Sequence, residues 1–480
     1  MSAEKENSYR HILRYTSLFG GVQGLNIAIS LVRNKLVAVL LGPDGMGLVS
    51  LFNSTVKLVS DSTNLGLAIS AVKRISQSYD NGDEDSLHDD IALVRSWSCV
   101  TAIVGFVVMA LAGNLLSHIT FNWGDHSLHF TLLAFLVGMM AVTGGEMAIM
   151  KSTRMLRQIA KMSLYNVLMA LILSVPMFWL WGQAAIVPSM LLLGLQQMLL
   201  TLYYTCRQYP YRVSMDRASL GRGGDMLKLG IAFVFAGIMG SGADFVVKSF
   251  LNNVASLENV GLYNAAYMIA MTYSGMVFTS METDYFPRLS SVGRHRQKRD
   301  IVINRQIEVS LLLISPMLVG LTISLPLLLP MLFSTRFGDA IPMTQVLVLA
   351  LYIRAVKIPM QYLPLSQGDS LSYLLLEGIY AVMIMVFVPI GFNYGNLMGA
   401  GIALTAVGLL DGVITFFYLL MHYHYVPSAL VFVHLTWTLT FGVAAYACTL
   451  TLSGTAYWVT GAVLTVLNAA ISMLLMKKRI

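Results

Sequence analysis

The sequence has little charge and little cysteine, and each shortage excludes a class of protein. Only 11% of the 480 residues are charged and 56% are hydrophobic, whereas soluble domains average about 25% charged residues. A soluble globular fold is therefore excluded. The three cysteines, Cys99, Cys206 and Cys448, fall within or at the end of apolar segments. They provide neither a disulfide framework nor a metal-binding spacing.

The sequence also lacks the motifs of several other classes. It has no GxxxxGK[ST] loop to cradle nucleotide phosphates, so no ATPase is recognisable in the chain. His118, His126 and His129 lie near Asp125, but their spacing is not that of a metal site. We therefore predict neither a cofactor nor a metal. Residues 1–11 are polar, and the apolar run after them has no small-residue cleavage site, which argues against a signal peptide.

Long apolar segments occur from one end of the chain to the other. A segment of about 18 apolar residues is long enough to cross a bilayer as a helix. The sequence predicts an all-α polytopic membrane protein with about fourteen transmembrane helices. The predicted spans are 12–41, 46–72, 93–116, 128–150, 162–181, 184–206, 228–251, 260–285, 306–332, 342–364, 371–392, 397–420, 428–450 and 456–476.

Lysine and arginine are unevenly distributed among the connections between these spans. When alternate connections are assigned to the two sides, one side receives 24 of the 31 basic residues and the other receives only Arg336. The basic side includes the loops at 73–95 and 151–161, which contain Arg95 and Lys151. Short loops rich in Lys and Arg remain in the cytoplasm, so both termini are predicted to be cytoplasmic. The net charge of +7 is then a consequence of topology and does not indicate binding to nucleic acid.

The two halves of the chain resemble each other at an offset of 214 residues. Gly47 aligns with Gly261, and Arg74 aligns with Arg288. An even number of spans separates equivalent points, so the halves have the same orientation in the membrane. We predict two pseudo-symmetric six-helix lobes around a central cavity, followed by two C-terminal helices. The predicted divisions are an N-lobe at 1–206, an inter-lobe loop at 207–227, a C-lobe at 228–420 and the last two helices with a basic tail at 428–480.

Apart from Arg14, Arg95 and Lys228, which lie near span ends and are counted with the connections, six basic side chains fall inside the predicted spans. A cation at the centre of a bilayer costs about 2.5–3.5 kcal/mol, so it normally faces protein or a water-filled cavity. A cavity lined with such residues would favour the passage of an anion. The six cations are Arg33, Lys35, Lys57, Lys248, Arg354 and Lys357.

Other polar residues share helix faces with these cations. Asn26 and Ser30 precede Arg33 at helical spacing, and Asn53 and Asn64 flank Lys57 in the same way. Lipid cannot satisfy polar groups, so we expect these faces to point into a cavity. The predicted substrate-binding residues are Arg33, Lys57, Lys248, Arg354, Lys357, Asn26, Asn53 and Asn64. Interhelical hydrogen bonds that hold a bundle together are the alternative explanation.

Four intramembrane carboxyl groups are candidates for ion coupling. Asp61 and Asp244 have a lysine one helical turn away, which also allows a local ion pair. Glu146 and Asp411 have no such partner on their own helices, so we expect them to be unpaired. An unpaired buried carboxyl would bind and release a proton during a transport cycle.

The segment LGPDGMGLVSLFNS at 41–54 resembles the start of polysaccharide transporters in the multidrug/oligosaccharidyl-lipid/polysaccharide (MOP) flippase superfamily. In those proteins a similar LGPxGxGLYSL segment joins the first two spans. Gly66, Leu67, Ser70 and Arg74 are similar to the residues that end the second span in that family. FPRLSSV at 286–292 looks like the counterpart in the second half.

The resemblance implies a V-shaped fold that works by alternating access. It also implies similarity to Wzx-type O-antigen flippases of lipopolysaccharide biosynthesis in the bacterial inner membrane. These move undecaprenyl-pyrophosphate-linked oligosaccharides from the cytoplasmic to the outer leaflet, and we expect coupling to an ion gradient. By position, Arg33, Lys57 and Lys248 resemble the cavity cations of the family. The expected partners are the lipid-linked glycan, the bilayer and other polysaccharide assembly proteins.

Two other functions fit the sequence less well than a flippase. A drug or organic-cation antiporter of the same superfamily should have a cavity dominated by acids, whereas Arg and Lys are at least as prominent here. A membrane polysaccharide polymerase or sugar transferase usually needs a large outer loop or a catalytic domain, and the predicted connections are short. We therefore expect transport without covalent chemistry, and no enzyme activity.

Overall fold

The protein is helical throughout the part of the chain that the computed structural model describes. The backbone is described over residues 2–213, 224–293 and 295–477, and the side chains over 24–213 and most of 234–477. No β-strand occurs in these ranges. The predicted inter-lobe loop at 207–227 and the end of the basic tail lie partly outside the described residues.

The chain divides into two compact units, residues 1–253 and 254–480. The helices of the first unit are α1 (Ser2–Thr63), α2 (Leu67–Asn81), α3 (Glu84–Thr120), α4 (Ser127–Ser152), α5 (Leu156–Trp181), α6 (Ile186–Gln208) and α7 (Gly224–Val254). Those of the second unit are α8 (Leu257–Tyr267), α9 (Ser274–Val292), α10 (Arg296–Leu332), α11 (Ile341–Ser366), α12 (Ser370–Tyr423), α13 (Ala429–Thr451) and α14 (Gly454–Lys477). A π-helical turn at Met268–Tyr273 joins α8 to α9.

Three helical runs, α1, α5–α6 and α12, each contain two predicted membrane spans in succession. In α1 the break is at Gly42, whose backbone is not helical (φ 69°, ψ −174°); a positive φ of this kind favours glycine. Pro43 follows, and it has no backbone N–H to donate to the preceding turn. In α12 the break is at Gly395 and Asn396. A short 3₁₀ turn at Gly182–Ala185 separates α5 from α6. The predicted succession of short spans is thus preserved inside longer helical runs.

The described residues contain nine helical segments that are long and apolar enough to cross a membrane. Three of these nine segments contain one of the breaks just described, so each of the three is long enough for two crossings. The nine segments together therefore accommodate twelve crossings. The seventh and eighth predicted spans correspond to α7 and to the run from α8 through α9. The prediction of an all-helical, multi-pass membrane protein is confirmed.

Small residues allow the helices of the first unit to pack closely. A methyl group on Gly145 of α4 would overlap Ser98 Oγ of α3, and one on Gly105 would lie 2.8 Å from Val137 Cγ1. Membrane helices associate through such close contacts because lipid provides little hydrophobic drive. The tight α3–α4 pair forms one rigid side of the first unit.

In the second unit, the last two helices pack on α10. Val319 and Ile323 of α10 form a buried cluster with Ala445 of α13 and Tyr457 of α14. Asn468 of α14 donates from Nδ2 to Ser315 Oγ of α10 at 2.9 Å, and both are buried. The C-terminal pair is therefore an integral part of this unit.

The unit boundary and the predicted lobe boundary differ by one helix. The compact units separate between Asn253 and Val254, so α7 belongs to the first unit, whereas the sequence repeat assigns the seventh span to the second half. The assignment of lobes at 1–206 and 228–420 stays a prediction.

Candidate functional site

A cavity of about 720 Å³ lies within the first unit. Both halves of α1 form one wall, and α4 and α6 form the others, with single residues from α2 and α5. Apolar side chains, including Met140, Met147, Met190 and Phe178, cover much of the surface. The cavity is large enough for a charged head group of moderate size.

The charged residues of this cavity are mostly cations. Arg33, Lys57 and Lys151 line it together with one acid, Asp61. Arg33 donates from Nε to Ser174 Oγ of α5 at 3.1 Å, which fixes the guanidinium against one wall. Three cations against one carboxylate give the described lining an excess of positive charge, which favours an anion.

Two predicted cavity residues of the second half of α1 face this space. Asn53 and Lys57 line the cavity and are exposed there. Asp61, one turn further on, also lines it and lies against α7, because a Cβ built on Gly237 would be 3.6 Å from Asp61 Cβ. The structure thus brings Arg33, Asn53, Lys57 and Asp61 together.

Lys151 is a cavity cation that was not among the predicted binding residues. It was assigned to a cytoplasmic loop, but it belongs to the last turn of α4 and lines the cavity. Thr143 and Met147 precede it at four-residue intervals and line the same space. This helical spacing is the signal that identifies its face.

The other predicted residues of the first unit are not among the described residues that line the cavity. Asn26 Nδ2 donates to Ser163 Oγ at 2.7 Å, and Asn64 Oδ1 accepts from the Gly66 N–H at 2.8 Å. Lys248 is buried and pairs with Asp244 at 2.8 Å. The structure therefore places these four residues in interhelical, turn and ion-pair contacts.

Glu146 has an ion partner, so the expectation that it is unpaired is wrong. Arg95 of α3 reaches its carboxylate at 2.8 Å, and both side chains are only 2% exposed. Arg95 also donates to the carbonyl oxygens of Tyr209 and Pro210. The charge distribution predicts Arg95 in a cytoplasmic loop, and helical spacing does not reveal the pair because the partners belong to different helices.

Asp411 is also paired, contrary to expectation. Lys357 Nζ lies 2.6 Å from Asp411 Oδ2 and 3.9 Å from Glu377 Oε1, and Lys357 and Asp411 are both buried. Gln361 Nε2 donates to Glu377. Lys357 and Gln361 of the tenth predicted span therefore meet Asp411 and Glu377 in one ion cluster within the second unit.

Arg354 lies beside this cluster but uses different contacts. Its Nη1 is 3.1 Å from Met271 Sδ, and the guanidinium carbon is 5.9 Å from the centre of the Phe278 ring. Contact between a cation and an aromatic face is favourable when water is excluded. Arg354 is thus accommodated by polarisable groups of the same unit.

The histidines near the start of α4 form an aromatic cluster. The centres of the His126 and Phe121 rings are 4.1 Å apart, and Nδ1 of His126 is 3.3 Å from Nδ1 of His129. Burial lowers the pKa of His126, and hydrogen bonds from Ser127 lower the pKa of Asp125. The described residues include no group of three His, Cys, Asp or Glu side chains placed to hold a metal ion.

Solved structures of similar fold are membrane transporters. The lipid II flippase MurJ, in an inward closed conformation, matches with a TM-score of 0.75 and 11% identity, covering 96% of this chain and 99% of that one. An inward-facing multidrug resistance MATE family transporter of the MOP superfamily gives 0.66 and 16%, with coverages of 82% and 93%. At these identities the likeness establishes the fold alone.

A third similar structure is a MOP superfamily transporter from Pyrococcus furiosus, which is described as having a binding pocket of reverse polarity. Its TM-score is 0.59 at 14% identity, and the match covers 84% of this chain and 94% of that one. A comparison with curated proteins finds no match. A family model described as polysaccharide biosynthesis protein matches residues 36–342, more than half of the chain. The chain belongs to the polysaccharide biosynthesis protein family.

Proposed function

We propose that the protein is a flippase for an anionic, lipid-linked oligosaccharide. The observation that carries this proposal is the cavity of the first unit, in which Arg33, Lys57 and Lys151 accompany a single acid, Asp61. A pyrophosphate linkage carries negative charge that Arg and Lys can neutralise through charge-assisted hydrogen bonds. Membership of a polysaccharide biosynthesis family supports a glycan as the cargo.

The proposed cargo is an undecaprenyl-pyrophosphate-linked oligosaccharide of the O-antigen type. Its head group would enter the cavity from the cytoplasmic side of the bacterial inner membrane, and its lipid tail would stay in the bilayer. The protein would release the head group in the outer leaflet by alternating access, with no covalent step. Both termini are cytoplasmic in this proposal, and other polysaccharide assembly proteins would supply and consume the cargo.

The proposal assigns different tasks to the charged groups. Arg33, Lys57 and Lys151 bind the pyrophosphate, and Asn53 binds neighbouring oxygens. Asp61 is the carboxyl best placed for ion coupling, because it lines the same cavity and lies one turn from Lys57. Ion coupling by Glu146, Asp244 or Asp411 and substrate binding by Lys248, Arg354, Lys357, Asn26 or Asn64 stay predictions.

The test is transport of a pyrophosphate-linked glycan by purified protein in liposomes. Loss of a hydrogen bond to a charged group costs about 1.5–3 kcal/mol. Arg33→Gln, Lys57→Gln and Lys151→Gln should therefore each lower the transport rate by roughly tenfold or more. Lys73→Gln is the matched control, since Lys73 is an exposed cation of α2 outside the described cavity lining.

Two outcomes would contradict the proposal. If the three cavity variants transport the glycan as fast as the Lys73→Gln control, the basic cavity is not the path of the anion. If the protein instead exports a cationic dye and the cavity variants leave that export unchanged or faster, the drug-antiporter alternative is correct.

A further inference from the structure

A second basic pocket lies at one end of the α5–α6 pair, apart from the transport cavity. Its volume is about 420 Å³, and its cations are Arg157 and Lys161 of α5 and Arg207 of α6. Tyr204 and Gln208 complete this part of the wall. The described lining contains no Asp or Glu, so the pocket has a positive potential that attracts an anion.

The start of α5 adds backbone donors to this pocket. Helix α5 begins at Leu156, and the preceding residue, Met155, makes no side-chain capping hydrogen bond. The first N–H groups of a helix have no intrahelical acceptor and bind anions such as phosphate. Met155, Arg157 and Gln158 all line the pocket, so the first turn of α5 faces the same space as the cations.

An apolar groove of about 500 Å³ continues from the basic pocket along the same two helices. Tyr165 of α5 lies one helical turn beyond Lys161, and Leu200 of α6 lies one turn from Tyr204. The groove then follows Met169, Leu192, Leu195 and Leu199, which are exposed on this face. The α5–α6 segment is the least buried of the candidate spans in the described chain. Its exposed apolar face suits contact with lipid.

Contacts between α5 and α6, and with the buried cluster beneath them, hold the residues of the groove in place. Gln196 Nε2 of α6 donates to Asn166 Oδ1 of α5 at 3.0 Å, which ties the two helices together. The Tyr203 and Tyr204 rings are in edge contact, with centres 5.5 Å apart. Tyr204 also packs against the buried cluster that includes Ile91 and Met162. A ligand at this site would meet a preformed surface.

We propose that the α5–α6 surface binds an anionic phospholipid. The phosphate would lie in the basic pocket between Lys161, Arg207 and the first turn of α5, and one acyl chain would follow the apolar groove. A cationic pocket followed, one helical turn further along the same two helices, by an apolar groove matches a molecule with a phosphate head and a hydrocarbon tail. A soluble phosphate would occupy only the basic pocket, and a neutral lipid would occupy only the apolar groove. This site is separate from the transport cavity, so the inference does not depend on the proposed cargo.

The experiment measures lipid retention on the purified full-length protein by native mass spectrometry. The protein is titrated with phosphatidylglycerol or phosphatidylcholine of identical acyl chains. Each basic residue near a membrane surface strengthens the binding of an anionic lipid. Removing two of them should therefore weaken phosphatidylglycerol binding by roughly tenfold or more. We expect the Lys161→Gln/Arg207→Gln variant to lose its preference for phosphatidylglycerol. The Lys73→Gln/Arg212→Gln control removes two exposed cations outside the pocket and should keep it.

A second variant tests the apolar part of the site. Leu199→Trp fills the groove and should weaken binding of phosphatidylglycerol while glycerol phosphate, which has no acyl chain, binds no differently. Equal retention of the two lipids by the unmodified protein would overturn the proposal, and so would unchanged preference in the Lys161→Gln/Arg207→Gln variant. Displacement of phosphatidylglycerol by equimolar inorganic phosphate would show an anion site without a lipid. Preferential retention of undecaprenyl pyrophosphate over phosphatidylglycerol would show that the cargo itself is the occupant.

Discussion

An arginine buried inside a membrane protein needs a counter-charge and acceptors for its remaining N–H groups, because neither lipid nor water supplies them. Arg95 has both. Its guanidinium pairs with Glu146 and donates to the carbonyl oxygens of Tyr209 and Pro210. The pair joins α3, α4 and the segment after α6. We interpret it as a structural link among these elements.

Breaking the pair on one side should destabilise the protein. Glu146→Gln leaves the Arg95 guanidinium buried without a counter-charge, which costs about 3–5 kcal/mol in comparable buried pairs. Thermal unfolding of the purified protein in detergent should show a large fall in the midpoint. Replacing both partners, Arg95→Met with Glu146→Leu, should cost less, because no unpaired charge remains. An unchanged midpoint for Glu146→Gln, with loss of proton dependence in transport, would favour a coupling role instead.

Individual residues were predictable where local sequence determines their environment. Arg33 and Lys57 have long apolar flanks, and both line the cavity of the first unit. Their role in substrate binding stays a prediction. The environments of Arg95 and Lys151 could not be predicted in this way. Both residues lie at the boundaries of apolar segments. Whether their side chains are buried or line the cavity depends on how α4 packs against α1, α3 and α6. Such contacts join residues far apart in the chain, and periodicity within one helix carries no information about them.

At the scale of helices, the breaks have local causes that the sequence displays. Gly42 adopts a left-handed φ that favours glycine, and Pro43 begins the second half of α1. The Leu41–Gly42–Pro43 motif of the family is thus the joint between the first two spans. In α12, the joint at Gly395 and Asn396 lacks a proline, and the predicted boundary between spans at 392 and 397 still matches it.

The break in α12 brings two glycines into contact. A methyl group on Gly391 would overlap the carbonyl oxygen of Gly399, and one on Gly399 would overlap the Gly391 carbonyl oxygen. The two halves of the helix therefore cross with no space for a side chain. Sequence patterns alone did not identify this approach, because it depends on the angle of the break.

Alanine at this crossing should separate the two halves of α12. Gly399→Ala should destabilise the protein by about 1–3 kcal/mol through overpacking, measured as a fall in the unfolding midpoint. Gly395→Ala is the matched control in the same helix, since a Cβ there meets nothing within 4 Å and the φ of −145° suits any residue. Equal midpoints for the two variants would show that the crossing can open without cost.

At the scale of the whole chain, two arginines that align in the predicted duplication make comparable contacts in their own units. Arg74 of α2 donates to Asp90 of α3 at 2.6 Å, and Arg288 of α9 donates to Gln306 of α10 at 3.3 Å. These arginines align at the offset of 214 residues in the sequence. Each ends the second span of its half and reaches the following helix. The duplication itself stays a prediction, and these two contacts are consistent with it.

The uneven distribution of Lys and Arg predicts which side of the membrane each loop occupies. Labelling of single cysteines from one side of the membrane tests this orientation directly. In a protein whose native cysteines are replaced, single cysteines at Lys73 and Arg336 occupy exposed positions on opposite predicted sides. A membrane-impermeant maleimide should label Arg336→Cys in intact cells and Lys73→Cys only after the cytoplasmic side is opened, because Lys-rich and Arg-rich loops remain in the cytoplasm. Val137→Cys, buried between α3 and α4, controls for labelling of the interior. Labelling of Lys73→Cys in intact cells would invert the topology, and with it the direction of transport proposed for the lipid-linked glycan.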